Sequence, residues 1–170
     1  VHAALPPAGP GRDAVRNSLT GSLIAWDPVA RREVARVRLT GPWNGGVLTT
    51  AGGLVVQGTV DGRLVAYNAR PENGTLTKVW ETDNHAATLA GPISYEVDGQ
   101  QYIASMAGYG SVFFLAAGFA APEQGNDLQA RVMVYKLGGT AQPEVPQLTR
   151  LTTPEPPMIR TTPTILAQGS

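Results

Sequence analysis

From Gly21 onward the chain is built of short runs in which apolar and polar residues alternate, each closed by Gly, Asp or Asn. A period of two marks a half-buried strand, because successive side chains of a strand point to opposite faces. The pattern predicts strands over Leu54 to Gly58, Arg63 to Tyr67, Lys78 to Glu81, Ile93 to Val97, Gln101 to Met106 and Arg131 to Lys136. Asp61-Gly62 and Asp98-Gly99 stand between paired runs and read as hairpin turns. No segment holds a helical period beyond two turns, so helices should be few. The longest apolar run, Val112 to Pro122, is broken by Gly118 and is much shorter than the roughly 20 residues of a membrane helix. It is expected to be buried core, with no membrane span.

The runs also repeat. Gly21-Ser22-Leu23-Ile24-Ala25-Trp26-Asp27 aligns with Gly62-Arg63-Leu64-Val65-Ala66-Tyr67-Asn68 at a spacing of about 41 residues, and Arg131-Val132-Met133-Val134-Tyr135-Lys136 is a weaker third copy. Strand-like repeats at that period point to β-propeller blades, each a small four-stranded sheet. Propellers close with about four to eight blades, and this sequence supplies two and part of a third. An open arc leaves strand edges and apolar blade faces bare, so the expectation is a piece of a larger propeller. The missing part belongs to the same gene product or to a companion chain. After Gly138 the texture becomes Pro- and Thr-rich without alternation, as in an extended strap or linker. The organisation read from the sequence is a lead-in segment over 1–20 continuing a preceding blade, blades over 21–139, and a strap over 140–170.

Composition narrows the function classes. Thirteen basic residues balance 13 acidic ones, which argues against a nucleic-acid partner. A hydrophobic share of 42% with 15% charged residues suits a packed fold, and 20 glycines with 14 prolines suit an all-β chain with many tight turns. The absence of cysteine removes disulfides, thiolate metal sites and thiol nucleophiles. The first residues show neither an initiator Met nor a secretion signal, so the chain reads as beginning in mid-protein.

Several longer motifs now coincide. They are Gly21 to Pro28, then "PWNGGVLTTAGGLVVQGTVDGRLVAYNA" from Pro42, then Ala90 to Tyr102, then Ala107-Gly108-Tyr109-Gly110, then "ARVMVYKLGG" from Ala130 to Gly139. In their order and spacing they resemble the C-terminal part of the propeller domain of pyrroloquinoline quinone (PQQ) dependent alcohol dehydrogenases, quinohaemoproteins in particular. The resemblance implies an eight-bladed all-β propeller, with PQQ near its axis. It also implies oxidation of a small alcohol to an aldehyde or ketone by the cofactor with an aspartate as the base, a cytochrome electron acceptor and a periplasmic location. A calcium ion sits on the cofactor in that family, and a haem c domain follows the propeller in the quinohaemoproteins. The base, the calcium ligands, the vicinal cysteine pair and the stacking tryptophan belong to other parts of such proteins and have no matching motif here. The isolated chain is therefore expected to be inactive. Two departures stand out: Ala35 where the blade motif has tryptophan, and Tyr109 in "AGYGS" where the family has "AGWGG". The first is expected to remove a packing anchor worth about 3 kcal/mol if buried and uncompensated.

On this resemblance the cofactor-binding candidates are Trp43, Asn44 and Gly45, with Gly108, Tyr109 and Gly110 as a second loop. A Trp N–H can donate to a quinone or carboxylate oxygen, and Gly45-Gly46 would let the backbone approach a flat ligand. The alternatives are a blade-edge tryptophan beside a glycine bulge, and a simple turn. Trp26, Tyr67 and Trp80 are expected to pack between blades, and Asp27 and Asn68 to cap turn N–H groups. Asp61 and Asp98 read as turn residues, not as an acid and base pair. His2 and His85 read as solvated loop residues without a partner, so no metal site and no catalytic residue is assigned. The competing class is a non-catalytic propeller scaffold with PQQ-type repeats.

Overall fold

The computed structural model describes residues 9–109 and 130–145. The expected core run Val112 to Pro122, the candidate Gly110, His2 and most of the 140–170 strap lie outside the described residues. Both turn signals close a hairpin. Between β7 (Ile93–Val97) and β8 (Gln100–Ala107), Asp98 and Gly99 have φ of 51° and 74°. Positive φ at both positions is a type I′ turn, whose twist matches the paired strands. Between β4 (Leu54–Gly58) and β5 (Arg63–Asn68), Gly62 at φ 96° donates to Thr59 O at 3.2 Å. Thr59 N–H then donates to Arg63 O at 2.8 Å. Asp61 accepts from Thr59 Oγ1 and pairs with the Arg63 guanidinium, so it is the turn residue expected.

Three antiparallel sheets result. β1 (Thr20–Asp27) pairs with β2 (Arg32–Thr40), and the loop joining them is held by Asp27 Oδ1, which accepts from Val29 N–H and Ala30 N–H, both at 2.9 Å. The second sheet runs β3 (Val47–Thr49), β4, β5, β6 (Lys78–Asp83), and the third runs β7, β8, β9 (Arg131–Lys136). Asn68 Oδ1 accepts from Arg70 N–H at 3.0 Å, the second Asx cap expected. Ahead of β1 a helix, α1 (Pro10–Ser18), begins on Pro10 and carries Asp13 and Arg16 as an ion pair at 3.4 Å. A proline fits the first helical turn because its missing N–H has no intrahelical partner there.

The core lies on both faces of the second sheet. Leu23, Ala35 and Leu39 of the first sheet meet Val55, Val65, Tyr67 and Leu76 on one face. Val56, Leu64 and Ala66 meet Ile103 and Tyr135 of the third sheet on the other. Double burial explains why Leu54-Val55-Val56 and Leu64-Val65-Ala66 are nearly continuous apolar runs where the outer strands alternate. The sheets do not close into a ring among the described residues, so the chain is a partial propeller. The first sheet leaves Ile24 and Trp26 bare, and the third leaves Ile93, Tyr95, Met106, Val132 and Val134 bare on one face.

The aromatic repeat positions divide. Tyr67 is buried between the first and second sheets, and Trp80 meets Tyr135 edge-to-face at 5.4 Å across the second and third. Trp26 is 59% exposed on the open face, so it does not pack between sheets among the described residues. Ala35 pairs with Ala25 just as Trp80 pairs with Ala66, which makes Ala35 the counterpart of Trp80. The expected packing defect is compensated: Ala35 is 1% exposed, in one cluster with Tyr67 and with Leu76 from the β5–β6 loop. That loop also reaches back to β2, where Arg36 N–H donates to Gly74 O at 2.9 Å.

Candidate functional site

Between β6 and β7 the chain crosses from an edge of the second sheet to an edge of the third through residues 84–92. Asn84, Ala86, Ala87 and Thr88 of this crossover are fully buried. Both candidate segments are built against it. Gly45 N–H donates to Gly58 O at 2.9 Å, and its carbonyl accepts from Gln57 Nε2 at 2.9 Å. A Cβ on Gly45 would stand 2.6 Å from Thr88 O, and one on Gly46 would stand 2.8 Å from Gly91 Cα. These glycines therefore admit the crossover's own main chain, which fills the space that the sequence reading reserved for a flat ligand.

Asn44 is half-buried and fixes the same segment. Its Oδ1 accepts from Val60 N–H at 3.1 Å and its Nδ2 donates to Gly41 O at 3.3 Å. Trp43, one residue earlier, is 54% exposed. A large, half-exposed aromatic side chain is thus carried on a segment pinned to β4 and the β4–β5 turn. Gln57 is buried with Oε1 unpaired beside this segment. Such an acceptor is left unsatisfied in few folded chains, and it marks the interior end of the strip as polar.

The second candidate loop meets the crossover one residue away. Gly108 N–H donates to Ala87 O at 2.8 Å, and a Cβ on Gly108 would lie 3.0 Å from Ala130 Cα. That N–H is spent inside the chain and does not point at a ligand. Tyr109, which follows, is half-buried. The structure thus brings the two candidate segments together through the adjacent residues Ala87 and Thr88.

Two groups at this strip were missed from the sequence. Asn84 donates from Nδ2 to Thr88 Oγ1 at 3.0 Å and accepts at Oδ1 from Tyr135 Oη. Arg131 Nη2 donates to Asn84 O at 2.6 Å. Burial raises the Tyr135 phenol above its ordinary value of 10.0, while a hydrogen bond with Thr82 pulls the other way. The available signal was the small-residue run Ala86-Ala87 flanked by Asn84 and Thr88, a composition suited to close backbone packing. His85 also differs from the reading as a loop residue without a partner. Its φ is 55°, its N–H donates to Asp83 Oδ1 at 2.7 Å, and Nδ1 lies 3.5 Å from Asp83 Oδ2. Among the described residues no group of three or more His, Cys, Asp or Glu side chains is placed to hold a metal ion.

The family described as "Glucose/ethanol/alcohol dehydrogenase, beta-propeller domain", of the PQQ type, matches residues 20–103. The quinohemoprotein alcohol dehydrogenase ADH-IIG of Pseudomonas putida is 41% identical over 155 residues, 91% of this chain and 21% of that protein. This chain belongs to the PQQ-dependent alcohol dehydrogenase propeller family. The quinohemoprotein alcohol dehydrogenase of Comamonas testosteroni is 50% identical over 97 residues, 57% of this chain and 13% of that protein. Its crystal structure superposes with a TM-score of 0.63 at 41% identity, over 88% of this chain and 20% of that one. The chain spans about a fifth of the length of the relatives it matches. The three sheets are accordingly PQQ-type blades, with β1, β5 and β9 in equivalent places of successive blades.

Proposed function

We propose that this chain forms part of a PQQ-dependent alcohol dehydrogenase and contributes one wall of its cofactor site. The observation that carries the reading is Trp43, half-exposed on a segment that Asn44 and Gly45 bond to Val60 and Gly58. An indole carried on a bonded main chain suits a planar aromatic ligand, because the segment that presents it is already ordered. Tyr109 on the neighbouring loop is the second side chain that fits this use. Asn44, Gly45 and Gly108 serve the wall indirectly, since the polar groups they present are engaged within the chain. Bound PQQ supplies two-electron oxidation of an alcohol, and the protein supplies binding, orientation and electrostatics.

By this reading the aspartate base and the calcium ligands come from the remainder of the propeller. A cytochrome, carried on a following haem c domain or a separate protein, takes the electrons, and the assembly works in the periplasm. The relatives' designation as quinohemoproteins supports the haem-linked acceptor. The test is titration of the chain with PQQ and calcium while tryptophan emission is recorded. Saturable quenching that is lost in Trp43→Ala is expected, with no alcohol-dependent dye reduction by the chain alone. Absence of quenching in the wild type rejects the cofactor wall and leaves the scaffold reading.

A further inference from the structure

Asn84 is 0% exposed and spends its hydrogen-bonding groups on three separate pieces of the chain. Its backbone N–H donates to Gly62 O at 2.7 Å in the β4–β5 turn. Its side chain joins Thr88 within the crossover and Tyr135 on β9, and its carbonyl receives Arg131 from the same strand. Thr88 N–H in turn donates to Thr59 O at 3.0 Å. The Ala87 carbonyl holds Gly108, and the Thr88 carbonyl is the atom against which Gly45 is packed. The connection between the Trp43 segment and the Tyr109 loop thus runs through the adjacent residues Ala87 and Thr88, of which Asn84 ties down Thr88.

We infer that Asn84, gripped by Tyr135 and Arg131, is a positioning residue that sets the spacing of the Trp43 and Tyr109 segments, a role that rests on their reading as a PQQ wall. Asn84 is buried and touches no ligand itself. It acts through the Ala87 and Thr88 carbonyls. The third sheet is thereby coupled to the second by polar contacts at one end of the Val56–Ile103 apolar layer. A buried network of this kind fixes a unique geometry where apolar packing alone tolerates sliding.

Tyr135→Phe removes one hydroxyl and keeps the ring against Trp80, so it tests the grip with the fold intact. Arg131→Lys is the second variant, which keeps the charge and loses the guanidinium fork. Both are measured at a temperature where more than about nine-tenths of the chain is folded, by amide resonances and by PQQ titration. The expected result is that the Gly45 and Gly108 cross-peaks move while those of the remote turn glycines Gly53 and Gly99 stay. PQQ affinity is expected to fall about tenfold, the effect of leaving one buried partner unsatisfied. Unmoved Gly45 and Gly108 resonances, or unchanged PQQ affinity in a variant whose resonances do move, overturn the inference. If the wild-type chain fails to bind PQQ, the cofactor wall fails, and the glycine resonances alone decide whether Asn84 sets the spacing.

Discussion

Gly58→Ala is the sharpest probe of how the second sheet meets the crossover. Gly58 ends β4, and a Cβ there would stand 2.5 Å from Thr88 Cγ2 and 2.9 Å from the Thr88 carbonyl carbon, and closer still to the carbonyl oxygen. Carbon and oxygen sit comfortably at about 3.3 Å, so Thr88 must retreat by roughly an ångström. That retreat strains the Thr88 N–H bond to Thr59 O and the Gly45 N–H bond to Gly58 O, now 3.0 and 2.9 Å. Overpacking costs about 1–3 kcal/mol and each lost hydrogen bond about 1 kcal/mol. The expected loss is therefore about 3–5 kcal/mol, a large part of the roughly 5–15 kcal/mol that holds a domain together. Urea unfolding followed by far-UV circular dichroism reads it as a midpoint lowered by about 2 M. Gly52→Ala is the matched control: its Cβ would meet only Thr50 Oγ1 at 3.7 Å, and a change within about 0.5 kcal/mol is expected. A Gly58→Ala midpoint indistinguishable from the control refutes the tight joint.

Three further outcomes follow from the same geometry. Asn44→Ala leaves Val60 N–H without its side-chain acceptor and should cost about 1–3 kcal/mol, with a shift in Trp43 emission; an unchanged emission spectrum contradicts the pinning of that segment. Burial raises the Tyr135 and Tyr67 phenols above 10.0, so the folded chain holds these protons more tightly than the unfolded chain. Their contribution is complete below about pH 10 and is lost as pH rises toward the raised folded values, so urea midpoints should fall across that window and fall less steeply in Tyr135→Phe. Val134→Lys on the bare face of the third sheet should change the chain's own stability by less than about 0.5 kcal/mol. By native mass spectrometry it should abolish association with the remainder of the propeller, and an undiminished complex counts against that face as the contact.

The strands were legible because each hairpin carries its turn chemistry locally, as Asp98-Gly99 and Asp61-Gly62 show. The short helix Pro10–Ser18 was not, since two and a half turns carry too little periodicity to separate from a loop. Trp26 stands on the outer face of the first sheet, where no described sheet covers it, whereas the aligned Tyr67 is buried against the sheet before it. At the site, the glycines announced a close approach but not its partner. Thr88 lies 43 positions beyond Gly45, and no local pattern couples the two. Asn84 carries no local signal, and its burial follows from the β4–β5 turn and strand β9 closing around it. The partner of His85 was overlooked although Asp83 stands only two positions ahead, because left-handed backbone at a non-glycine residue is not visible in composition.

Main chain meeting main chain at Gly45, Gly46, Gly58, Thr88 and Gly91 has an evolutionary consequence. At Gly45, Gly46 and Gly58 the joint offers no graded substitutions: any side chain there intrudes on main chain at 2.8 Å or less, and no smaller residue exists. Variation in this region is therefore expected in the side chains beside the joint, such as Trp43 and Tyr109. The joint itself is inherited whole or lost.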